Sequence, residues 1–325
     1  MSGRYGPLAR QSELGLRAWA AQSGASLEIA DAGEEPGRAA ELTLALAGRA
    51  ELLFGPYGSG AMRAVAHAFA GRPEVVWNHG GAAGADTGAR VVDVLGPAGS
   101  YWRGLPAALR AIGAPLAPAV VLTGPGGFAA ATAEGAIAAL AAEGAGHPQE
   151  VRYAEEGAAG AADEALRSGA RIVVGCGRFD DDVAVGRRLA GRPPGEPFVG
   201  LVACGVAAAA EALGEAVAGW LGPAQWMPGG AGDPLGPDAD YPAAQAFAAG
   251  IVAERAAAAA GSLDPDALWD AARALRTTTP LGPFAVDGRG RQVAHAPLIV
   301  RWAREPGGLV RRAVWRPPPA GGGAP

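Results

Sequence analysis

Two stretches decide the fold, LFGPYGSG at residues 53–60 and VVWNHGGA at residues 75–82. Each is an apolar run that ends in a glycine-rich turn, and the first opens onto a helix-length segment at residues 61–69. A strand that stops before a helix leaves backbone N–H groups pointing outward, at the positive end of the helix dipole. The two stretches therefore predict a site for carboxylates at the end of a sheet.

The amino-acid composition excludes several classes of function. All 27 basic residues are arginine, so a phosphate-binding P-loop, which needs a lysine, is excluded. A net charge of −5 without a basic stripe argues against a nucleic-acid partner. Cys176 and Cys204 lack the spacing of a zinc site, and we expect no metal and no cofactor. The apolar runs are shorter than the roughly 20 residues that cross a bilayer, so no membrane span is expected.

Strand-like runs alternate with helix-length segments along most of the chain, which predicts an α/β protein with doubly wound parallel sheets. The alternation of strands and helices begins again after residues 113–118, a linker that contains two prolines, so we expect two lobes. In such sheets ligands bind at the carboxyl ends of the strands. The predicted strands are Leu27–Ala30, Glu51–Phe54, Glu74–Asn78, Arg90–Leu95, Ala119–Thr123, Glu150–Ala154, Ala170–Cys176, Pro197–Ala203, Pro297–Ala303 and Arg311–Trp315.

Several motifs, taken in order along nearly the whole chain, resemble the type I periplasmic binding proteins of ABC transporters, in the leucine/isoleucine/valine-binding branch. No one of them is diagnostic, and the resemblance rests on the ordered set. The motifs are SGRYGPLARQ at 2–11, GPYGSG at 55–60, NHGGA at 78–82, YWRG at 101–104, GRFDD at 177–181, QWMP at 225–228, LGPF at 281–284 with DGRG at 287–290, and VWRP at 314–317.

The resemblance implies two lobes joined by a hinge, at residues 1–116 with 233–290 and 117–232 with 291–317, followed by a disordered tail at 318–325. It implies a binding protein, not an enzyme, that captures an amino acid of the branched-chain type or a related small carboxylate in an inter-lobe cleft. The partner would be an ABC transporter permease, and the location periplasmic or extracellular. The implied ligand-binding residues are Tyr57, Gly58, Ser59, Asn78, Gly80, Gly81, Ala82, Tyr101, Phe128, Arg178, Phe179 and Gly205.

The start of the chain departs from the family pattern. In the family a first strand runs into the Ser-Gly loop, whereas here Met1 stands directly before Ser2 and Gly3. We therefore expect the N-terminal sheet of this chain to lack its first strand. Residues 1–7 also show no signal-peptide pattern, so a cytoplasmic location stays open.

Several of these residues also have a structural interpretation. Ser59 could cap the following helix, Gly80 and Gly81 could supply a plain turn with positive φ, and Arg178 could pair with a neighbouring aspartate. Asn78 at a strand end could equally be a structural group.

Two alternative functions remain at this stage. One is a cytoplasmic ligand sensor of the same fold. The other is a nucleotide-dependent α/β enzyme that uses the glycine-rich turn at residues 124–127, although this turn lacks the dinucleotide-binding spacing.

Overall fold

The computed structural model describes residues 6–81, 87–144, 146–192, 197–229 and 233–318. The chain divides into two compact units, Met1–Pro97 with Trp226–His295 and Ala98–Gln225 with Ala296–Pro325. Three of the features predicted above, the opening Ser-Gly loop, Ala82 and the tail beyond Pro318, lie outside the described residues.

The described elements alternate as the sequence predicts. The helices are α1 Gly6–Ser23, α2 Pro36–Ala47, α3 Ser59–Ala68, α4 Leu105–Ala111, α5 Gly127–Ala142, α6 Ala158–Arg167, α7 Phe179–Leu189, α8 Ala208–Leu213, α9 Tyr241–Ala260 and α10 Pro265–Ala274. The strands are β1 Leu53–Phe54, β2 Val75–Asn78, β3 Arg90–Asp93, β4 Ala119–Thr123, β5 Gln149–Arg152, β6 Ile172–Cys176, β7 Phe198–Leu201, β8 Leu221–Ala224, β9 Thr277–Thr279, β10 Gly282–Phe284, β11 Leu298–Glu305 and β12 Gly308–Trp315.

The first unit contains a three-stranded parallel sheet in the order β1-β2-β3. Every residue of β2 is buried, as expected for a strand covered on both faces. The predicted strand Leu27–Ala30 is wrong, because this segment has no strand pairing in the structure. Among the described residues β1 pairs with β2 alone, so no ladder reaches the segment from that side.

The second unit contains a seven-stranded sheet in the order β12-β11-β8-β7-β6-β4-β5. The strands from β8 to β5 run parallel, and β11 and β12 are antiparallel additions. The sequence analysis missed β8 because Gly222 and Pro223 are poor strand residues. Gly222 is required there, since a Cβ at this position would lie 2.2 Å from the carbonyl carbon of Cys204. The short antiparallel pair β9-β10 was also missed.

The boundary between the units differs from the one predicted at residue 116. Tyr101 packs edge-on against Phe128, with ring centroids 5.5 Å apart. A Cβ at Gly104 would lie 2.1 Å from the Trp315 ring, so this glycine lets β12 approach closely. These contacts tie Ala98 and the residues that follow it to the second unit.

Helix length and apolar composition bear on whether the chain could cross a lipid bilayer. Within the described residues, no single helix combines the length and apolar composition of a membrane span, and only the sharply bent pair α9 and α10 reaches them together.

Candidate functional site

The two glycine-rich turns lie side by side in the first unit. The Gly58 N–H donates to the Gly80 carbonyl at 3.0 Å, and the Gly55 N–H donates to the Trp77 carbonyl at 2.9 Å. Helix α3 begins at Ser59, with Gly58 as its N-cap residue at φ 108°. The predicted cap therefore falls on Gly58, and Ser59 is the first helical residue.

Gly80 and Gly81 are required by packing. A Cβ on Gly80 would lie 2.7 Å from the Tyr57 Cα, and one on Gly81 would lie 2.4 Å from the Met62 Cβ. Neither glycine has a positive φ, so the turn explanation based on backbone conformation is wrong. The close approach of the second turn to Tyr57 and to α3 excludes side chains at these positions.

Asn78 organises the second turn. Its side-chain oxygen accepts the N–H groups of Gly80 at 3.1 Å and Gly81 at 2.8 Å. Its amide nitrogen donates to the Gly81 carbonyl at 2.9 Å and to Asp93 Oδ1 at 2.5 Å. The buried Asn78 side chain therefore links the turn to the end of β3, which is the structural role considered above.

The Asp93 side chain is partly buried at the end of β3. Burial raises its pKa to about 7, while the Asn78 hydrogen bond and the charge of Arg291 act in the opposite direction. The adjacent His79 is also buried, and burial lowers its pKa to about 4. At neutral pH this end of the sheet therefore holds a neutral imidazole and a carboxyl group that is partly protonated.

A cavity of about 280 Å³ extends from these turns along α3 and β3. Its walls contain three of the predicted ligand residues, Ser59, Asn78 and Gly81, together with residues that sequence reasoning missed. The lining residues are Ser59, Met62, Arg63, Ala66, Asn78, Gly81, Thr87, Gly88, Ala89, Arg90, Val91, Asp93, Trp269, Arg289 and Arg291. We call it the α3/β3 cavity.

Most of the missed residues lie on α3 or in and just before β3, but three come from distant parts of the chain, Trp269 from α10 and Arg289 and Arg291 from the loop after β10. That loop is fixed to β3, since the Asp93 N–H donates to the Gly290 carbonyl at 2.8 Å. A Cβ on Gly290 would lie 2.1 Å from the Val91 carbonyl oxygen and 2.9 Å from the Trp269 ring. The charge-rich sequence DGRGR at residues 287–291 was the available signal, but its distance along the chain from β3 hid the contact.

Of the described residues, four arginines and one aspartate line the α3/β3 cavity. Arg90 forms an ion pair with Asp266, Nη2 to Oδ1 at 2.5 Å. Arg63 is exposed and forms no ion pair with any described residue. Arg273 lies over the Trp269 ring, 5.6 Å from its centroid, which adds another cation next to the cavity wall.

In the second unit, Arg178 is held by neighbouring carboxylates. Its Nε donates to Asp181 Oδ2 at 2.9 Å, and its Nη1 donates to Glu155 Oε1 at 3.1 Å. These partners raise the pKa of the Arg178 guanidinium further. The structural interpretation of Arg178 is therefore confirmed, and Phe179 beside it is the first residue of α7.

Asp182, next along α7, closes the same end of the second sheet. Its two oxygens accept the N–H groups of Gly177 at 3.1 Å and Ala203 at 2.9 Å. Burial raises the Asp182 pKa to about 7 against these hydrogen bonds. The Tyr153 hydroxyl is buried nearby and finds no hydrogen-bond partner in the described part of the chain; it lies 2.9 Å from where a Cβ on Gly124 would be.

Three further predicted residues also lie in the second unit. Tyr101 is buried and hydrogen-bonds with the Gln225 side chain, and burial raises its pKa to about 12. Phe128, the second residue of α5, is partly exposed. A Cβ on Gly205 would lie 2.0 Å from the Pro223 carbonyl oxygen, and the Gly205 carbonyl accepts a hydrogen bond from Arg311 at 2.5 Å. Gly205 therefore serves packing.

The described residues were predicted to hold no metal site, and their cysteines bear on the same question. No group of histidine, cysteine, aspartate or glutamate side chains among the described residues could hold a metal ion. Cys176 and Cys204 are both free and buried, and burial raises the pKa of each thiol.

Comparisons with protein families and with solved structures both find matches to this chain. A sequence profile described as periplasmic binding protein matches residues 1–307. In a comparison with curated proteins, no sequence is significantly similar to this chain.

Three solved structures illustrate the similarity of fold. A solute-binding protein of an ABC transporter from R. palustris, in complex with 4-hydroxybenzoate, is 14% identical with a TM-score of 0.83, covering 97% of this chain and 94% of that one. A leucine-binding protein LivK from Thermotoga maritima is 17% identical with a TM-score of 0.79, covering 98% and 97%. An amino acid ABC transporter substrate-binding protein from Pseudomonas fluorescens is 17% identical with a TM-score of 0.81, covering 98% and 94%.

At these identities the solved structures establish the fold alone. The sequence profile extends over almost the whole chain, and the α/β fold with its parallel sheets agrees with it. The chain belongs to the periplasmic binding protein family.

Proposed function

We propose that this chain is the solute-binding component of an ABC transporter and that it captures a small solute with a carboxylate group, an amino acid or a related acid. It binds this solute reversibly, catalyses no reaction and delivers it to a permease. Support comes from the family, which implies a periplasmic location, and from similar solved structures that hold benzoate or 4-hydroxybenzoate.

One observation carries the proposal: the α3/β3 cavity opens at the start of a ten-residue helix and is lined by Ser59 and Gly81. The first backbone N–H groups of a helix have no partner within the helix, and the helix dipole favours an anion there. A solute carboxylate at this point would receive hydrogen bonds from neutral donors, with arginines close by. The remaining predicted residues stay predictions as contacts of the solute: Tyr57, Gly58, Asn78, Gly80, Ala82, Tyr101, Phe128, Arg178, Phe179 and Gly205.

The two alternatives have less support. The similar structures reported above come from transport proteins, and no observation favours the sensor. The nucleotide-dependent enzyme would need space at the turn of residues 124–127, but the Tyr153 hydroxyl packs against Gly124.

The test is a thermal-shift screen of amino acids and small carboxylates, followed by calorimetry on the best solute. Replacing Ser59 with alanine removes one donor to a charged acceptor, which we expect to weaken binding about ten- to hundredfold. The fold should be unaffected, because Ser59 is only partly buried on the first turn of α3.

The matched control is Ser23→Ala, an exposed serine at the end of α1. It should bind the solute as the parent does. Equal affinity of the Ser59→Ala variant and the parent would contradict the assignment of the site, whatever solute is found.

A further inference from the structure

The walls of the α3/β3 cavity carry more positive charge than a single carboxylate needs. Among the described residues, Arg63, Arg90, Arg289 and Arg291 line it, against one lining carboxyl, Asp93. With Asp93 ionised, the lining sums to 4 − 1 = +3. The whole chain has the opposite sign, at −5, so this excess is a local feature.

Carboxylates outside the cavity lining reduce its excess of positive charge but do not cancel it. Asp266 neutralises Arg90 through a direct ion pair. Asp287 lies within electrostatic range of Arg289 and Arg291, and these arginines help to lower the pKa of its carboxyl. Counting both carboxylates leaves 3 − 2 = +1, and Arg63 still has no ion pair with any described residue.

The cavity is also longer than a single carboxylate group requires. From Ser59 to Ala66 it follows eight residues of α3, a rise of about 10 Å along the helix axis. Along β3 it runs from Arg90 to Asp93, again about 10 Å. Its volume of about 280 Å³ is close to the lower end of ligand pockets in proteins, about 300–1,000 Å³, which suits a small organic acid.

The wall between the polar groups is apolar. Met62, Ala66, Ala89, Val91 and Trp269 contribute side chains to the lining. A solute that matches this pattern has an apolar body and acidic groups at both ends, one directed to the start of α3 and one to the arginines.

We propose that the α3/β3 cavity takes a small organic dianion, with one carboxylate at Ser59 and Gly81 and a second acidic group held by Arg63 and Arg291. This inference rests on the proposed function and specifies its solute class. Arginine suits the role because its guanidinium pairs with a carboxylate through two parallel hydrogen bonds.

The test uses two matched pairs of probes, terephthalate with benzoate and succinate with butyrate, titrated into the full chain by calorimetry. Within each pair the dianion should bind at least about tenfold more tightly, because it gains charge-assisted hydrogen bonds. Arg63→Gln and Arg291→Gln should each weaken the dianion about ten- to hundredfold and leave the monoanion nearly unchanged. Arg38→Gln, at an exposed arginine of α2 in the same unit, controls for the loss of net charge.

The outcomes separate this inference from the proposed function. If monocarboxylates bind and the dianions gain nothing, the dianion site is wrong while solute capture stands. If the Arg63→Gln and Arg291→Gln variants lose no more affinity than Arg38→Gln, the assignment of the second acidic group is overturned. If neither class of probe nor any solute of the broader screen binds, both proposals fall.

Discussion

The carboxyl ends of the two sheets carry similar residues and use them differently. At the end of the second sheet, Arg178 is held by Asp181 and Glu155, and Asp182 accepts backbone N–H groups with both oxygens. At the end of the first sheet, Asp93 and the arginines around it line a cavity. The charged groups of the second sheet satisfy one another, while those of the first leave room for a ligand.

The comparison shows that residue type alone does not identify a binding site. Asp93 is partly buried and Asp182 fully buried at their sheet ends, and burial raises the pKa of each carboxyl to about 7. The two aspartates differ in the number of hydrogen bonds that their carboxyl oxygens accept from other groups of the protein. The predictions below test whether the second sheet end is built for stability and the first for binding.

The largest effect is expected at Gly205 in the second unit. An alanine Cβ there would lie 2.0 Å from the Pro223 carbonyl oxygen, a backbone atom that cannot move aside. We expect Gly205→Ala to lower the free energy of unfolding by about 4 kcal/mol or more. Urea unfolding measures it.

Gly160→Ala is the control, because a Cβ on this glycine of α6 meets nothing within 4 Å. It should raise stability by about 0.5–1 kcal/mol. Equal stabilities of the two variants would show that the Gly205 contact relaxes easily.

The next effect compares the two aspartates. Asp182→Asn puts an amide donor opposite a backbone N–H donor, so we expect a loss of about 2–4 kcal/mol at pH 7. Asp93→Asn keeps an oxygen for the Asn78 donor and should cost less than about 1 kcal/mol. Equal losses in urea unfolding would remove the distinction between the two sheet ends.

The pH dependence of the Asp93→Asn variant sharpens that result. Because the folded Asp93 pKa of about 7 lies above the usual value of 3.8, the folded state binds the extra proton between these pH values. The parent therefore loses stability relative to the variant as the pH rises from about 4 to about 7, by at most about 1.4 kcal/mol per pH unit. A constant difference across this window would contradict the burial of Asp93.

The smallest effect concerns two tyrosines of the second unit. The Tyr153 hydroxyl has no hydrogen-bond partner among the described residues, so Tyr153→Phe should change the free energy of unfolding by less than about 0.5 kcal/mol or raise it slightly. Tyr101→Phe removes the hydrogen bond with Gln225 and should cost about 1 kcal/mol. Thermal unfolding of both variants decides the order, and the reverse order would show that Tyr153 has a role in stability.

The sequence predicted most of the fold because apolar strands and helical crossovers have distinct periodicities. It failed where pairing or packing overrides the pattern. Leu27–Ala30 reads as a strand but pairs with nothing among the described residues, and Leu221–Ala224 is a strand despite Gly222 and Pro223.

The site was predicted in part for the same reason. Ser59, Asn78 and Gly81 lie at the end of a predicted strand or in the glycine-rich turns that follow the predicted strands, and they do line the cavity. Trp269 and Arg291 are far from them along the chain, and only the docking of the loop after β10 onto β3 brings these residues together.

The most direct measurement is anomalous diffraction from crystals of the protein grown with bromoterephthalate, whose bromine marks the position of the dianion. A bromine peak between α3 and β3, with one carboxylate near Ser59 and the other near Arg63 and Arg291, is the predicted result. A peak at the end of the second sheet or elsewhere, with the α3/β3 cavity free of the ligand, would contradict the account.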